Sequence, residues 1–473
     1  MLQLHRADLP GRPLGPAASH LSRILLTLDG TIIQQGGLEP LLRALDESKD
    51  QLADHFSNRL GSELVAKALT LKVLNLLLAK YHFLARHSTL LSKPYGLIAD
   101  PVNNCNLAFP GCVHSVSSRE LHRFEWNAGV LTEDRYDALL RQYGPSAIQT
   151  TLYNYGEPLL NPHTPRFIRK AKAYLTRTAL STNMAVKRFD AQAYALSGLD
   201  FMTLSIDGAT QPVYEKFRRK GDLETVFRNV RSLVEAKRKE GRRSPVLNWQ
   251  FLAFEHNAHQ IEEARNLAQT MGVDQFTVGN PFDVTWDDPA MRAAAVVPAL
   301  HQFQDNSSER MQENWNPFPD ELESSAIERA FETGWLSQLT PELRRATAPT
   351  RSTPPPRTCH YLYKNIVMDA NGRVFPCCAA PQPDADLHFA NFDAGAPDSF
   401  NSEKYQQARL SFSKSNPGAA PTFPIVQTPE PYCVKCDWYD AQMTAHIDRS
   451  EVRSYMISSA VVDAESARLL SSW

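Results

Sequence analysis

The chain reads as an α/β protein: a partial (β/α)6 barrel with a helical N-terminal extension and a small cysteine-rich C-terminal domain. Three observations predict this. Between residues 93 and 290, six short apolar runs alternate with amphipathic segments. Residues 1–92 instead carry apolar residues at helical spacing, as from Glu63 to Tyr81. Beyond residue 357, five of the seven cysteines gather in one stretch.

Taken in order, residues 1–92 show no chemistry and suit a lid or docking domain. The six apolar runs of 93–290 are Tyr95–Ala99, Ala147–Tyr153, Thr178–Ser181, Phe201–Ile206, Val246–Phe251 and Gln275–Val278. Thr132–Tyr143, Thr164–Tyr174, Leu223–Glu240 and Ala258–Gln269 are the helical candidates between them. Such alternation predicts a parallel sheet that hides both faces under helices, with its ligand site in the loops after the strands. Residues 291–357 form a charged insertion ending in Pro354-Pro355-Pro356, which reads as a linker because proline can neither continue a helix nor donate a ladder hydrogen bond. A cysteine-rich unit follows over 358–440, and a C-terminal helix over 441–473.

Bulk properties narrow the function. A chain of 473 residues exceeds one small core, so two or three packed units are expected. The net charge of -2 points to neither nucleic acid nor an anionic membrane. Lys237-Arg238-Lys239 and Arg242-Arg243 read as solvated charges at a helix end. The most apolar stretch, Leu71 to Leu78, is far short of the roughly 20 residues that cross a bilayer, and the first residues lack a signal-peptide pattern. A cytoplasmic protein is expected. Tight grouping of cysteines in such a chain suggests metal ligation more than a disulfide framework.

The chemistry-bearing residues follow the apolar runs. After the first stands Cys105-Asn106-Leu107-Ala108-Phe109-Pro110-Gly111-Cys112, with His114 just beyond. After the second stands Tyr155-Gly156-Glu157-Pro158, and after the third Ser181-Thr182-Asn183. The fourth runs into Ser205-Ile206-Asp207-Gly208, followed by Tyr214-Glu215-Lys216-Phe217-Arg218-Arg219. Asn248 on the fifth run and Asn280 after the sixth either line a pocket or are satisfied core amides. Asp207-Gly208 alone reads as a turn, and Ser181-Thr182-Asn183 as a strand-end cap.

In this order the motifs resemble the radical S-adenosylmethionine (SAM) superfamily, whose partial TIM-like barrel places a Cys-x3-Cys-x2-Cys loop after its first strand. There three thiolates hold a [4Fe–4S] cluster and its fourth iron takes the amino and carboxylate groups of SAM. The resemblance implies Cys105 and Cys112 as ligands, with Phe109 in the place of the middle cysteine. Phenylalanine has no donor atom, and His114 would need an unusual turn to replace it. Carried over residue by residue, Tyr155, Gly156 and Glu157 would meet the SAM amino group. Ser181 and Asn183 would meet its ribose or carboxylate, and Ser205 and Arg218 its carboxylate, a planar fork suiting that last task.

Twelve residues separate Cys359 from Gly372 and four separate Gly372 from Cys377, with Asn371-Gly372 marking a hairpin. Cys433 and Cys436 form a Cys-x2-Cys pair, and Cys378 is spare or an alternative to Cys377. This spacing is similar to the auxiliary-cluster domains of SPASM/twitch type, which implies a second [4Fe–4S] cluster on Cys359, Cys377, Cys433 and Cys436. A structural zinc site on four thiolates is the competing reading.

Two functions are therefore expected. One is an enzyme that cleaves SAM to a 5′-deoxyadenosyl radical for hydrogen abstraction from a small molecule, carbohydrate or peptide, fed by a donor such as flavodoxin or ferredoxin and impaired by Phe109. The other is a non-catalytic relative that binds SAM or a partner and keeps a structural C-terminal metal site.

Overall fold

The structure, a computed structural model, describes residues 21, 23–25, 28, 38–112, 114–115, 128–281, 288, 291–296, 301, 303–304, 313–315, 317–333, 359–377, 390–392, 398–412 and 433. The expected C-terminal helix, the Pro354–Pro356 run, Cys378 and Cys436 lie outside them.

Helix α1 (Leu38–Leu60) is followed by helix α2 (Glu63–Ala85). Ser62 caps α2 by accepting from Val65 N, and Arg86 ends it in the left-handed region at φ 57°. Because α2 is apolar on nearly every side, it is buried between α1 and the barrel. Its Lys72 is wholly buried and donates to Gly144 O at 3.1 Å and to Ala147 O, fastening the helical layer to the barrel.

The barrel then follows as β1 (Gly96–Ala99), α3 (Glu133–Tyr143), β2 (Gln149–Thr151), α4 (Thr164–Lys172), β3 (Arg177–Thr182), α5 (Ala191–Ala195) and β4 (Phe201–Ser205). Next come α6 (Gln211–Phe217), α7 (Leu223–Lys239), β5 (Val246–Leu252), α8 (Ile261–Met271) and β6 (Gln275–Gly279). Strands β1 to β6 pair in sequence order and all in parallel, giving the α/β partial barrel. Leu180, Met202, Leu204, Leu247, Trp249, Phe251 and Phe276 are buried under the helices. The alternate residues Ser181, Thr203, Ser205, Gln250 and Thr277 stay half-buried on the other face. Register sets Ser181 opposite Thr203 and Ser205 opposite Gln250, so this inner face is polar.

The insertion contributes β7 (Phe303–Gln304), antiparallel to β6, and α9 (Ser324–Thr333), which packs on α2. The C-terminal unit supplies α10 (Tyr361–Lys364), β8 (Asn365–Met368), β9 (Arg373–Phe375), β10 (Ala390–Asn391) and α11 (Glu403–Phe412). Strands β8 and β9 form the hairpin around Asn371-Gly372, with Gly372 at φ 85°. Strand β8 also pairs in parallel with β1, so this unit continues the barrel sheet. No helix among the described residues is long and apolar enough to cross a membrane. One expectation needs correction: Lys237 is not a solvated charge but is 6% exposed and pairs with Asp274 at 2.9 Å.

Lys172 and Asp200 form a buried ion pair at 2.9 Å, and Asp200 also accepts from Thr178 N and Oγ1 at the start of β3. Asp200→Ala would strand the Lys172 ammonium in the core. It should cost about 3–5 kcal/mol, read as a lower urea midpoint at unchanged slope.

Candidate functional site

Every sequence-marked loop of the barrel lies at one end of the sheet. The seam between the loops after β1 and β2 comes first. Asp100, wholly buried, accepts from Asn154 N at 2.6 Å and Tyr155 N at 3.0 Å, and Glu157 N donates to Asn104 O at 2.8 Å. The backbones run so close that a Cβ on Gly156 would stand 1.7 Å from Val102 O, which explains the glycine. His114 Nε2 bonds Tyr155 O at 3.0 Å across the same seam, a task distinct from replacing a thiolate.

Glu157 is buried and spends its carboxylate within the chain. It accepts from Leu159 N at 3.0 Å, Thr182 Oγ1 at 2.6 Å and Asn183 N at 2.8 Å, pinning the end of β3. Asn183 in turn donates to Asn106 Oδ1 at 3.1 Å and to Cys105 Sγ at 3.7 Å, and accepts from Ala185 N. Burial, with Glu157 next in effect, pushes the Cys105 thiol up to about 12. Ser181 and Ser205 meet with their hydroxyl oxygens 3.3 Å apart on the half-buried inner face.

Asp207 is a site residue whose role the sequence concealed. It is fully buried, receives Arg218 Nε at 2.6 Å, and fixes β5 by accepting from Leu252 N at 2.7 Å. Burial works against the Arg218 charge, but Asp207 and Tyr214 outweigh it and its pKa rises. Arg219 instead lies outside this cluster, partly exposed and paired with Asp288. Asn248 accepts from Thr277 Oγ1 at 3.2 Å, while Asn280 is exposed. His256, after β5, stacks on Phe254 with both ring nitrogens buried and, among the described residues, without a hydrogen bond, another feature invisible in the sequence.

Phe109 joins an apolar corner with Phe217, Phe254, Met291 and Leu252. Its ring centroid is 5.2 Å from that of Phe217 and 5.1 Å from the Arg218 guanidinium carbon. Aromatic pairs of this kind contribute about 0.5–1.5 kcal/mol beyond area burial.

The structure thus brings together Cys105, Cys112, Tyr155, Gly156, Glu157, Ser181, Asn183, Ser205 and Arg218 at one end of the barrel. In the C-terminal unit, Cys377 and Cys433 both lie near the Tyr405 hydroxyl, whose pKa they help to raise, and Cys359 lies near Tyr363. Among the described residues no three His, Cys, Asp or Glu side chains are grouped to hold a metal ion.

Residues 101–268 match the family model described as the Radical SAM superfamily. No curated protein matches the chain. Solved structures similar to it include SuiB of Streptococcus suis bound to S-adenosylmethionine, at 14% identity, covering 82% of this chain and 80% of that one, with a TM-score of 0.44. SuiB bound to the precursor peptide SuiA gives 14% identity, 81% of each chain and a TM-score of 0.44. The protein anSMEcpe with bound AdoMet and Kp18Cys peptide gives 13% identity, 68% of this chain, 84% of that one and a TM-score of 0.40.

SAM and a [4Fe–4S] cluster are typical of the superfamily. The loop after β1 does not fit that cluster: it offers two thiols, its middle position is a phenyl ring packed on Phe217, and His114 is held by Tyr155.

Burial, opposed by the N–H groups of residues 154–156, raises the Asp100 carboxyl from 3.8 to about 7. A carboxyl raised on folding lends stability that is full below its unfolded pKa and lost as pH climbs through the folded one. The stability advantage of the native chain over Asp100→Asn should be largest below pH 3.8 and shrink toward pH 7. The slope should reach at most about 1.4 kcal/mol per pH unit in urea titrations.

Proposed function

We propose that the chain is a radical SAM superfamily enzyme whose site takes S-adenosylmethionine at the C-terminal ends of β1 to β4, and that Phe109 leaves the chain as written nearly unable to cleave it. The convergence of Cys105, Glu157, Asn183 and Arg218 at one barrel end supports this reading most strongly. In the superfamily, SAM cleavage yields a 5′-deoxyadenosyl radical that takes hydrogen from an unreactive C–H bond. Substrates in reach of such chemistry are small molecules, carbohydrates or peptides, and the electrons come from a donor such as flavodoxin or ferredoxin.

The chain's own residues have definite parts in this reading. Asp207 orients Arg218, whose guanidinium suits a carboxylate. The paired hydroxyls of Ser181 and Ser205 offer further hydrogen bonds on the inner face. Gly156 and Glu157 fix the loop after β2 close to Cys105 and Cys112. The packing of Phe109 among Phe217, Phe254 and Met291 favours the second reading, a non-catalytic SAM-binding relative.

In the C-terminal unit we infer an auxiliary [4Fe–4S] site on Cys359, Cys377, Cys433 and Cys436. The first three belong to the described residues, and a set of thiols suits iron–sulfur chemistry as it does zinc.

Under strong reductant after anaerobic reconstitution, the chain as written should form negligible 5′-deoxyadenosine, and Phe109→Cys should form it at least about tenfold faster. Equal rates would overturn the reading of the loop, and no product from either would favour the non-catalytic account.

Metal analysis of the same anaerobic protein should find about four irons per chain, from the C-terminal thiols alone. One zinc with no iron would replace the auxiliary cluster by a structural zinc site.

A further inference from the structure

Tyr405 and Arg409 stand one turn apart on α11 and so share one face of it, 0% and 1% exposed. Each holds a carbonyl close to a cysteine in the chain. The Tyr405 hydroxyl donates to Phe375 O at 2.8 Å, just before Cys377. Arg409 Nε donates to Leu362 O at 2.9 Å, and Leu362 N donates to Cys359 O at 3.3 Å. The same guanidinium donates to Phe400 O at 2.7 Å and to Ser88 O at 2.8 Å, tying α11 to the segment after α2.

Every acceptor of Arg409 is uncharged, the last being Asn401 Oδ1 at 3.3 Å. A cation withdrawn from water is ordinarily paired with an anion. Among the described residues no carboxylate pairs with this one. Asp398 acts on it from a distance, but its two oxygens hold Lys93 at 2.8 Å and Tyr143 at 2.9 Å. The rings of Phe400, Tyr405 and Tyr363 lie 4.7, 5.2 and 5.8 Å from the guanidinium carbon. Rings attract a cation without neutralising it. Two of these rings also have thiols as neighbours, Cys377 and Cys433 near Tyr405 and Cys359 near Tyr363. A thiol is neutral until a metal takes it as thiolate. Zinc on four thiolates, or an oxidised [4Fe–4S] cluster on four, carries a net charge of about −2.

We propose that Arg409 is the counter-charge of an anionic metal–thiolate centre on the C-terminal cysteines, and that with Tyr405 it positions the segments bearing Cys359 and Cys377. This rests on the C-terminal metal site inferred above, and it holds for iron–sulfur and zinc alike because both centres have the same sign. Arg409 and Tyr405 are positioning residues that act through the cysteine-bearing segments. A buried cation beside such a centre strengthens its binding and, for a cluster, raises its reduction potential.

The test is titration of the full chain, freed of metal by anaerobic chelation, with cobalt(II) alone. The absorption of tetrahedral cobalt–thiolate reports the C-terminal set, because the loop after β1 has too few thiols to produce it. Arg409→Gln should weaken cobalt binding at least about tenfold, as loss of an outer partner of a metal ligand commonly does. Arg409→Lys, which keeps the charge, should stay within about threefold of the unaltered chain. Tyr405→Phe, which removes only the hydroxyl, should weaken binding by about threefold or more. After loading with iron and sulfide, the reduction potential should fall in Arg409→Gln and hold in Arg409→Lys, a pattern that a merely structural role would not give.

Equal losses in Arg409→Gln and Arg409→Lys overturn the role of the charge. Full affinity in Arg409→Gln overturns the inference and leaves the metal site standing. If Arg409→Gln does not fold, the other two variants decide: unchanged affinity in Tyr405→Phe, or a loss of about tenfold in Arg409→Lys, overturns the inference. No cobalt–thiolate absorption from the unaltered chain overturns the C-terminal metal site and this inference together.

Discussion

The Asp100 carboxylate accepts backbone N–H groups from Asn154 and Tyr155, drawing the loop after β2 onto the loop after β1. The other contacts at this end of the barrel depend on that seam. Only glycine permits the approach at position 156, and once the backbones meet, Glu157 N reaches Asn104 O. The Glu157 side chain then extends to Thr182 and Asn183 at the end of β3, and Asn183 leans back onto Asn106 and Cys105. A closed circuit of hydrogen bonds thus joins the ends of three strands, and the cysteine loop is one of its members. Asp100, Glu157, Thr182 and Asn183 of this circuit are buried, so a hydrogen-bond donor or acceptor lost among them would leave a buried partner unpaired, at about 1–3 kcal/mol.

The far side of the site is fastened by charge. Asp207 receives Arg218 on one oxygen and Leu252 N on the other, coupling β4, α6 and β5 through one carboxylate. On the opposite flank Asp369 receives Arg373 and the N–H groups of Asn371 and Arg373, while Asn103 bridges Asp369 to Ala370 N. The C-terminal hairpin is thereby tied to the residue two places before Cys105. Buried ion pairs gain little net stability against apolar residues of like size, because desolvation consumes much of their attraction. Their effect here is positional: each sets where one loop can lie. The two cysteine groups, far apart in sequence, therefore share a single frame through β1 and β8.

Much of this frame was legible in the sequence. Apolar runs marked all six parallel strands to within a few residues, since the row of each strand that lies under the helices is buried and kept apolar. Helices α5 and α6 were missed, being too short for a helical period to show. Asp207 looked like the start of a turn because its partner, Arg218, lies 11 residues away and no local rule links them. Asp100 and Asn103 carried no motif, and their acceptors and donors come from other loops. Lys237 read as part of a solvated basic run, yet Asp274 draws it inward. Pairings of this sort are properties of the fold and leave no periodic trace.

Phe109 shows how far a single departure from a motif can be interpreted. Had cysteine merely been replaced, a large ring in a space shaped for a thiolate would be expected to clash or to stand in solvent. Instead the ring meets Phe217, which meets Phe254 at 4.5 Å, with Met291 and Leu252 closing the corner. These partners come from the ends of α6 and β5 and from the insertion, so the fit is distributed over distant parts of the chain. The Arg218 charge lies against the Phe109 and Phe217 rings, where it is attracted by about 0.5–2 kcal/mol per contact. Replacing the ring by a small thiol would remove one of these contacts and leave the corner partly empty, a cost to the loop that any gain in iron ligation must exceed. The loop therefore has a physical preference of its own, set by apolar packing around position 109 and by the charge it holds beside Asp207.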